Sequence, residues 1–226
     1  MAKRHLKRHA CPNTWKLERK AEKFVVRPRP GGHSMATGMS ITSILKGLGF
    51  CETTKEVKQA LAESIVQVNG RIVKDFKRIV GFMDVLGAPK EGLYFRMSID
   101  ERGKLVMIEE SKTNANLLPC RVRGLCLIKG AITQVNCYNG YNLEMKEKPK
   151  IGDTVVLNLN TGATEVLPAK EQAMVLLIGG RRAGSIGTIV KHNGATAQVK
   201  MGDETHMSDA KHLFVVGGKK PVVKIR

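Results

Sequence analysis

The apolar positions between residues 40 and 62 repeat with the spacing of two short helices. After Ser40, apolar residues at positions 41, 44, 45 and 48 fall at i, i+3, i+4 and i+7, and the serine can cap the helix that they predict. Thr53 and Glu56, three residues apart, form the pattern of a capping box, so a second helix is expected to begin there. The pattern therefore predicts a pair of helices joined by a short turn.

A change to alternating apolar and polar residues predicts that strands follow these helices. Val66 and Val68 alternate with polar neighbours, and Asn69-Gly70 supplies the two positive-φ positions that a type I′ hairpin turn requires. Further strands are expected at 81–85, 94–99 and 105–108.

From residue 117 onward the sequence contains no convincing helical pattern. Short runs of Val, Ile and Leu are separated by the turn signals Asn139-Gly140, Thr161-Gly162 and Asn193-Gly194. Turns at such spacing are typical of antiparallel strands in small barrels. The whole chain is therefore expected to have a mixed α+β, multi-domain fold.

The N-terminal segment carries an unusual excess of positive charge. Ten of its first 32 residues are lysine or arginine and two are acidic, a net charge of +8 within a chain total of +18. Such a segment cannot bury enough apolar surface to fold by itself, so we expect a basic arm that orders when a polyanion such as nucleic acid neutralises it. Trp15, His5 and His9 stand among the charges, where their rings could stack on bases. The stretch 27–32, rich in proline and glycine, predicts an extended linker.

Other partners and chemistries fit the composition less well. The apolar residues of the arm are too sparse for a membrane-surface helix. The N-terminus lacks the apolar stretch of a signal peptide and the apolar run 173–178 is too short to span a bilayer, so a soluble intracellular protein is expected. Cys120, Cys126 and Cys137 are either small buried residues in strands or, with a histidine, metal ligands. The lack of a C-x-x-C pair favours the first alternative, and we expect no metal and no cofactor.

The helix pair and the hairpin place Lys55, Lys58 and Arg71 where they could contact the phosphates of structured RNA. The alternative for these residues taken alone is an ordinary solvent-facing helix. Together with the pattern Val66-x-Val68-Asn69-Gly70-x-x-Val73, the arrangement resembles a small RNA-binding module. That module is shared by one small-subunit ribosomal protein, some pseudouridine synthases and tyrosyl-tRNA synthetases, and the resemblance covers residues 40–85.

A second motif lies at residues 174–190. Four glycines, at positions 179, 180, 184 and 187, allow a loop to approach another backbone closely, and Arg181 and Arg182 lie within that loop. The motif resembles the KOW motif, a strand–loop–strand element of an SH3-like barrel found in ribosomal proteins and elongation factors. A nucleotide-binding loop is disfavoured, because no Lys-Ser/Thr follows the glycines and the motif leads into a strand.

The order of these motifs along the chain is itself informative. With the stretches 3–8, 11–20, 27–33, 81–85 and 214–217, it resembles the archaeal and eukaryotic small-subunit ribosomal protein family "four-e", the e-type protein numbered four. The missing N-terminal Gly-Pro and the missing long C-terminal extension point to an archaeal source. The resemblance implies a cytoplasmic, non-catalytic constituent of the ribosome. Such a protein binds small-subunit ribosomal RNA and neighbouring ribosomal proteins, and it needs no membrane or small-molecule substrate.

The resemblance and the charge pattern together give a domain organisation and a set of candidate residues. The expected segments are a basic arm (1–39), a helix–hairpin RNA-binding domain (40–108), a central β-rich domain (109–172), a KOW-type barrel (173–217) and a basic tail (218–226). The candidate RNA-binding residues are Lys3, Arg4, His5, Lys7, Arg8, His9, Trp15, Lys16, Arg19, Lys20, Arg27, Arg29, Lys46, Lys55, Lys58, Arg71, Lys74, Arg181 and Arg182.

Two other classes of protein share parts of this pattern. Pseudouridine synthases carry the helix–hairpin module, but they need a catalytic aspartate in a large additional domain. Asp84, Asp153 and Asp209 have no such setting here, and the histidines at 192, 206 and 212 have no partner pattern for acid–base work. Transcription-elongation factors carry a KOW-like segment but not the basic arm. Neither a catalytic role nor an elongation role is therefore expected.

Overall fold

The chain divides into two units, which are described separately. The computed structural model describes residues 5–18, 20, 22–128, 132–202, 204–218 and 220–225. Unit 1 comprises Met1–Ser98 and Lys104–Ala115, and unit 2 comprises Ile99–Gly103 and Asn116–Arg226.

The helical elements are short. Over the described residues, the α-helices are α1 (Ile41–Gly47), α2 (Thr54–Ala62) and α3 (Lys112–Ala115), and single 3₁₀ turns occur at Arg8–Ala10 and Ala210–His212. None of the helices in this part of the chain is long and apolar enough to cross a membrane.

Most of the regular structure is β. The first nine strands are β1 (Leu6–Lys7), β2 (Phe24–Val25), β3 (Gly38–Ser40), β4 (Gln67–Val68), β5 (Arg71–Ile72), β6 (Ile79–Gly81), β7 (Val85–Ala88), β8 (Leu93–Ile99) and β9 (Leu105–Glu109). The later strands are β10 (Leu117–Leu127), β11 (Thr133–Cys137), β12 (Asn142–Met145), β13 (Thr154–Asn158), β14 (Thr164–Leu167), β15 (Met174–Leu177), β16 (Ile186–His192), β17 (Thr196–Met201), β18 (Glu204–Asp209) and β19 (Leu213–Gly217). The predicted mixed α+β architecture is confirmed.

Both predicted helices begin at the predicted caps. The Ser40 hydroxyl accepts a hydrogen bond from the Ser43 amide at 3.3 Å. In the second helix the Glu56 amide donates to the Thr53 hydroxyl at 3.3 Å, while a Glu56 carboxylate oxygen accepts from the Thr53 amide at 3.4 Å. Each cap satisfies amides that have no partner within the helix, so both starting points follow from local sequence.

The hairpin also forms as predicted, but the strand expected at 81–85 does not. Asn69 and Gly70 have φ values of +50° and +74°, as a type I′ turn requires. Strand β6 instead ends at Gly81 and β7 begins at Val85, with Met83 between them at a φ of +68°. The expectation of one continuous strand is therefore wrong. An Asp84 carboxylate oxygen accepts from the Gly81 amide at 2.9 Å and closes this stretch into a turn.

The described residues of the N-terminal segment pack on the rest of unit 1, so the expectation of an unfolded arm is wrong for them. Trp15 is only 3% exposed, and its indole N–H donates to the Met35 carbonyl at 2.9 Å. The Leu105 amide of β9 donates to the Thr14 carbonyl at 2.7 Å. Trp15 is thus a core residue, and its predicted role as an exposed stacking ring is wrong. The physical reason is that a few apolar side chains with backbone hydrogen bonds suffice to order the segment when a body is available to pack against.

The stretch 27–32 is not a free linker either. Pro28 is buried, and the Arg29 amide donates to the Lys77 carbonyl at 2.9 Å. Residues 1–4, 19 and 21 lie outside the described residues, and these include three of the predicted RNA-binding positions, Lys3, Arg4 and Arg19.

Strands β5, β4, β7, β8 and β9 form, in that order, the main sheet of unit 1. The buried faces of α1 and α2 contribute Ile44 and Val57 to the core. The hairpin of β4 and β5 and the second helix thus lie in the same unit, as the sequence pattern predicts.

Unit 2 contains two five-stranded sheets, with strand orders β12-β11-β10-β13-β14 and β18-β17-β16-β15-β19. The first has a buried core that includes Val122 and Val155, and the second one that includes Val175 and Ile189. The expected turns at 139–140, 161–162 and 193–194 all connect consecutive strands. Apart from the 3₁₀ turn at Ala210–His212, the described residues after 117 form no helix, as predicted.

The cysteine expectation is confirmed for two of the three strand positions. Cys120 and Cys137 are buried in the core of the first sheet of unit 2, whereas Cys126 is exposed. Cys126 lies near the C-terminal end of β10, beyond the last residue of this strand that contributes to the core, Val122.

Candidate nucleic-acid interface

The second helix presents two lysines on its outer face. Val57 and Leu61 are fully buried, whereas Lys55 and Lys58 are exposed. These positions follow from the helical repeat, because residues three or four apart share a face. The predicted outward orientation of both lysines is therefore present in the structure.

The loop of residues 74–78 is fixed to α1 by hydrogen bonds to its backbone carbonyls. The Thr42 hydroxyl of α1 donates to the Phe76 carbonyl at 2.7 Å, and the Ile41 amide donates to the Arg78 carbonyl at 2.9 Å. Within the loop, the Lys77 amide donates to an Asp75 carboxylate oxygen at 3.0 Å. These hydrogen bonds hold the backbone of the loop in a defined position.

Phe76 joins the loop to the second helix. The Lys58 ammonium nitrogen lies 4.7 Å from the centroid of the Phe76 ring, and that of Lys77 lies 5.5 Å from it. Both distances are within the range of a cation–π interaction. Both lysines therefore contact the same ring, so two positive charges from different segments lie at this part of the surface.

Arg29 of the N-terminal segment completes this surface. Its guanidinium donates to an Asp75 carboxylate oxygen at 2.9 Å, and 68% of the Arg29 side chain remains exposed. We call the set formed by Arg29, Lys55, Lys58, Lys74, Lys77 and Arg78 the basic surface. Its six cations come from three separate segments of the chain, and one of them, Arg29, pairs with the partly exposed Asp75.

Arg71 lies apart from these contacts in the β4–β5 hairpin. It is exposed on β5, immediately after the turn residues Asn69 and Gly70. The Asn69 side chain fixes the hairpin turn. Its Nδ2 donates to an Asp84 carboxylate oxygen at 2.8 Å, and its Oδ1 accepts from the Val85 backbone amide at 2.8 Å. His33 Nε2 lies 2.9 Å from the other Asp84 oxygen. Asp84 is thus a structural residue that fixes the hairpin.

A buried arginine binds the turn between β6 and β7, which contains Met83. Arg96 is 0% exposed and donates to Glu110 Oε2 at 2.9 Å, to the Met83 carbonyl at 3.1 Å and to the Asn114 carbonyl at 2.7 Å. Burial lowers the pKa of Arg96, because desolvation penalises its charged form, and the Glu110 carboxylate opposes that shift. The guanidinium remains charged at neutral pH, so Glu110 has a buried counter-ion.

Other predicted cations of unit 1 have partners inside the protein. The Arg8 guanidinium donates to the backbone carbonyls of Leu17 and Glu18, and the Lys46 ammonium contacts a Glu22 carboxylate oxygen at 2.8 Å. Arg27 is half-buried. Besides Arg29, the predicted residues that are exposed on the N-terminal segment are His5, Lys7, His9, Lys16 and Lys20.

In unit 2, the loop between β15 and β16 exposes Arg181 and Arg182. The Gly184 amide donates to the Leu177 carbonyl at 2.7 Å, which closes the loop. Gly184 has a φ of +85°, and a Cβ atom there would lie 2.0 Å from the Asp100 carbonyl oxygen, so the position requires glycine. Arg182 lies 3.7 Å from a Glu204 carboxylate oxygen, an exposed and weak pair.

Sequence reasoning missed Lys77 and Arg78 of the basic surface, and also the ring of Phe76 beside them. Their signal was present, because the run 74–78 contains three cations and one aromatic residue, with one acid, Asp75. It has no strand or helix period, so the pattern predicted no element there. Only the hydrogen bonds to α1 show that the run is a fixed part of the surface.

The chain matches three family models along its length. These are the RS4NT (NUC023) domain at residues 2–36, the S4 domain at residues 41–86 and the ribosomal family S4e at residues 91–164. The small ribosomal subunit protein eS4 of Methanothermobacter thermautotrophicus is 31% identical over 233 residues, which cover 99% of this chain and 96% of that protein. The chain belongs to the ribosomal S4e family. The resemblance inferred from the sequence motifs is thereby confirmed.

Other members of the S4e family show similar agreement. The small ribosomal subunit protein eS4 of Archaeoglobus fulgidus is 30% identical over 237 residues, covering 100% of this chain and 99% of that protein. The crystal structure of the 30S ribosomal protein S4e from Thermoplasma acidophilum has the same fold, with a TM-score of 0.71 at 24% identity over 83% of this chain and 99% of that one. The S4e family is a family of structural ribosomal proteins, not of enzymes. The matched S4 domain contains both α1 and α2, the hairpin and most of the basic surface.

Proposed function

We propose that this chain is a structural constituent of the small ribosomal subunit in the cytoplasm and binds small-subunit ribosomal RNA through the basic surface. The observation that carries the proposal is the convergence of Lys58 and Lys77 on the Phe76 ring, at 4.7 and 5.5 Å. Both ammonium groups lie at the same ring, so an RNA phosphate bound there would interact with two positive charges. Counterion release then favours binding without any contact to a base.

The shape of this surface suits a structured RNA. The outer face of α2 and the 74–78 loop form a fixed surface, which favours recognition of a backbone by its shape and charge over the reading of base edges. The exposed cations of the N-terminal segment, such as Lys7 and Lys16, extend the positive region within the same unit.

We also infer that the remaining predicted segments act as further RNA contacts. The sheet β18-β17-β16-β15-β19 supports assignment of residues 173–217 as a KOW-type barrel, with Arg181 and Arg182 of its glycine-rich loop as phosphate ligands. Residues 40–108 and 109–172 would form the helix–hairpin and central domains. Several attachment points on one RNA raise the overall affinity through effective concentration.

A sedimentation experiment tests the proposal. The full-length chain is mixed with archaeal small-subunit ribosomal RNA in the presence of an excess of large-subunit ribosomal RNA, and the two are separated on a sucrose gradient. We expect stoichiometric migration with the small-subunit RNA, and the variant Lys58→Glu/Lys77→Glu should be lost from that fraction. The variant Lys90→Glu changes an exposed lysine of the β7–β8 turn, outside the basic surface, and should migrate like the unmodified chain. Equal distribution over both RNAs would contradict the proposal.

A further inference from the structure

Phe24 is a large aromatic residue that the fold does not bury. It lies on β2, is 50% exposed and pairs across the two-stranded ribbon with Lys7 of β1. The ribbon itself is anchored, because Leu6 is buried on β1 and the Arg8 amide donates to the Lys23 carbonyl at 3.0 Å. The ring is therefore held in a defined position while half of its surface faces solvent.

The surroundings of this ring are cationic. The Lys23 ammonium nitrogen lies 5.8 Å from the ring centroid, and Lys7 is the exposed cross-strand neighbour. The His5 imidazole packs at 5.8 Å with an interplanar angle of 87°. In this edge-to-face arrangement His5 contacts the ring without stacking on it, so it does not take the place of a stacked partner.

Another half-exposed phenylalanine of unit 1 has a different environment. Phe50 is 47% exposed, and its ring packs against Phe95 at a centroid distance of 5.7 Å. The described contacts place no ammonium group over the Phe50 ring. Both phenylalanines are therefore half-exposed, but only Phe24 is described with lysines beside its ring.

We propose that the β1–β2 ribbon binds an unpaired RNA nucleotide, whose base stacks on Phe24 while Lys7 and Lys23 contact the adjacent phosphates. The proposal rests on the proposed function, since it specifies how the N-terminal segment would engage the RNA. An aromatic ring flanked by cations fits a nucleotide because every base has a face that can stack and a phosphate on each side. A base within a duplex is already stacked, so the site selects bulges and loops over paired segments.

The test uses two RNA hairpins that differ by one nucleotide. One carries a single bulged 2-aminopurine, and the other is fully paired, with 2-aminopurine within its stem. Binding of the full-length chain to each is measured by fluorescence anisotropy at 0.1 M KCl, and stacking is measured from the quenching of the 2-aminopurine. We expect Phe24→Leu to weaken binding to the bulged hairpin by about 5- to 150-fold, the range of one lost stacking contact, and to abolish the quenching. Its affinity for the paired hairpin should not change.

The controls separate stacking from folding and from charge. Phe24→Trp should retain both affinity and quenching, and Phe50→Leu should behave like the unmodified chain on both hairpins. Trp15 emission checks that the N-terminal segment remains packed in Phe24→Leu, since the buried Trp15 lies in the same segment. Unchanged binding of Phe24→Leu to the bulged hairpin would overturn the stacking site and leave the proposed function intact. If the unmodified chain bound neither hairpin but still migrated with small-subunit ribosomal RNA, the site would be overturned and the proposed function would stand. Failure in both experiments would overturn both.

Discussion

Replacing Arg96 with methionine tests how unit 1 holds the hairpin of its RNA-binding module. The side chain is completely buried and donates hydrogen bonds to Glu110, the Met83 carbonyl and the Asn114 carbonyl. Methionine matches the length of the stem and removes the charge. It leaves the Glu110 carboxylate buried with the Asn114 amide, at 3.1 Å, as its remaining side-chain donor.

The expected loss of stability follows from leaving the Glu110 carboxylate buried without its counter-ion. Removing one partner of a buried ion pair typically lowers the free energy of unfolding by about 3–5 kcal/mol. The double variant Arg96→Met/Glu110→Leu removes both charges, so most of that loss should be recovered. The Met83 and Asn114 carbonyls still lack the donor that Arg96 supplied in the double variant, and we expect a residual loss of about 1–2 kcal/mol.

Trp15 provides the assay. It is the single tryptophan of the chain and is buried in unit 1, so its emission during urea unfolding at pH 7 reports on this unit. The free energies of unfolding of the unmodified chain, Arg96→Met and the double variant are compared by linear extrapolation. A loss below about 1 kcal/mol for Arg96→Met, or a double variant as unstable as the single one, would refute the role assigned to the pair.

Three other predictions concern pH, backbone conformation and the N-terminal segment. The hydrogen bond from Thr53 lowers the pKa of Glu56 below its ordinary value of 4.5. The contribution of this cap to the stability of the protein is therefore fully present above pH 4.5, and it is lost as the pH falls through the lower pKa of the folded state. The stability difference between the unmodified chain and Glu56→Ala in urea titrations should therefore shrink from pH 6 to pH 3, and a constant difference would contradict this. Gly184→Ala should lower the melting temperature more than Gly194→Ala. Both glycines have a positive φ, at +85° and +75°, but only at Gly184 would the new Cβ lie 2.0 Å from a carbonyl oxygen. Equal effects would show that this close approach is unimportant. Without RNA, Trp15 emission should be blue-shifted and poorly quenched by acrylamide relative to the chain in urea, and identical spectra would show that the segment is undocked.

Local sequence determines the elements that have local causes. The caps at Ser40 and Thr53 fix the starts of α1 and α2, and Asn69-Gly70 fixes the hairpin. These predictions succeed because the groups that satisfy each other are three residues apart or less. The same reasoning placed Lys55 and Lys58 on an outer helix face.

The predictions that failed depend on contacts between distant segments. The composition of the N-terminal segment predicts disorder, but Trp15 finds its hydrogen-bond partner 20 residues away at Met35. The turn at Met83 adopts a positive φ because Arg96 and Asp84 bind it, and a strand pattern in the sequence does not reveal those partners. The candidate site divides in the same way, because the place of Phe76 between two lysines depends on how a loop packs on α1.

The salt dependence of RNA binding tests the central claim most directly, which is that the basic surface neutralises RNA phosphates. The dissociation constant of the full-length chain for small-subunit ribosomal RNA is measured from 0.05 to 0.5 M KCl. The same measurement is made for Lys55→Gln/Lys58→Gln and for the control Lys90→Gln. The account predicts that the slope of log Kd against log salt falls by about 1.4–1.8 in the double variant, since each lost phosphate contact removes about 0.7–0.9, while the control keeps the slope of the unmodified chain. A double variant with an unchanged slope would contradict the account.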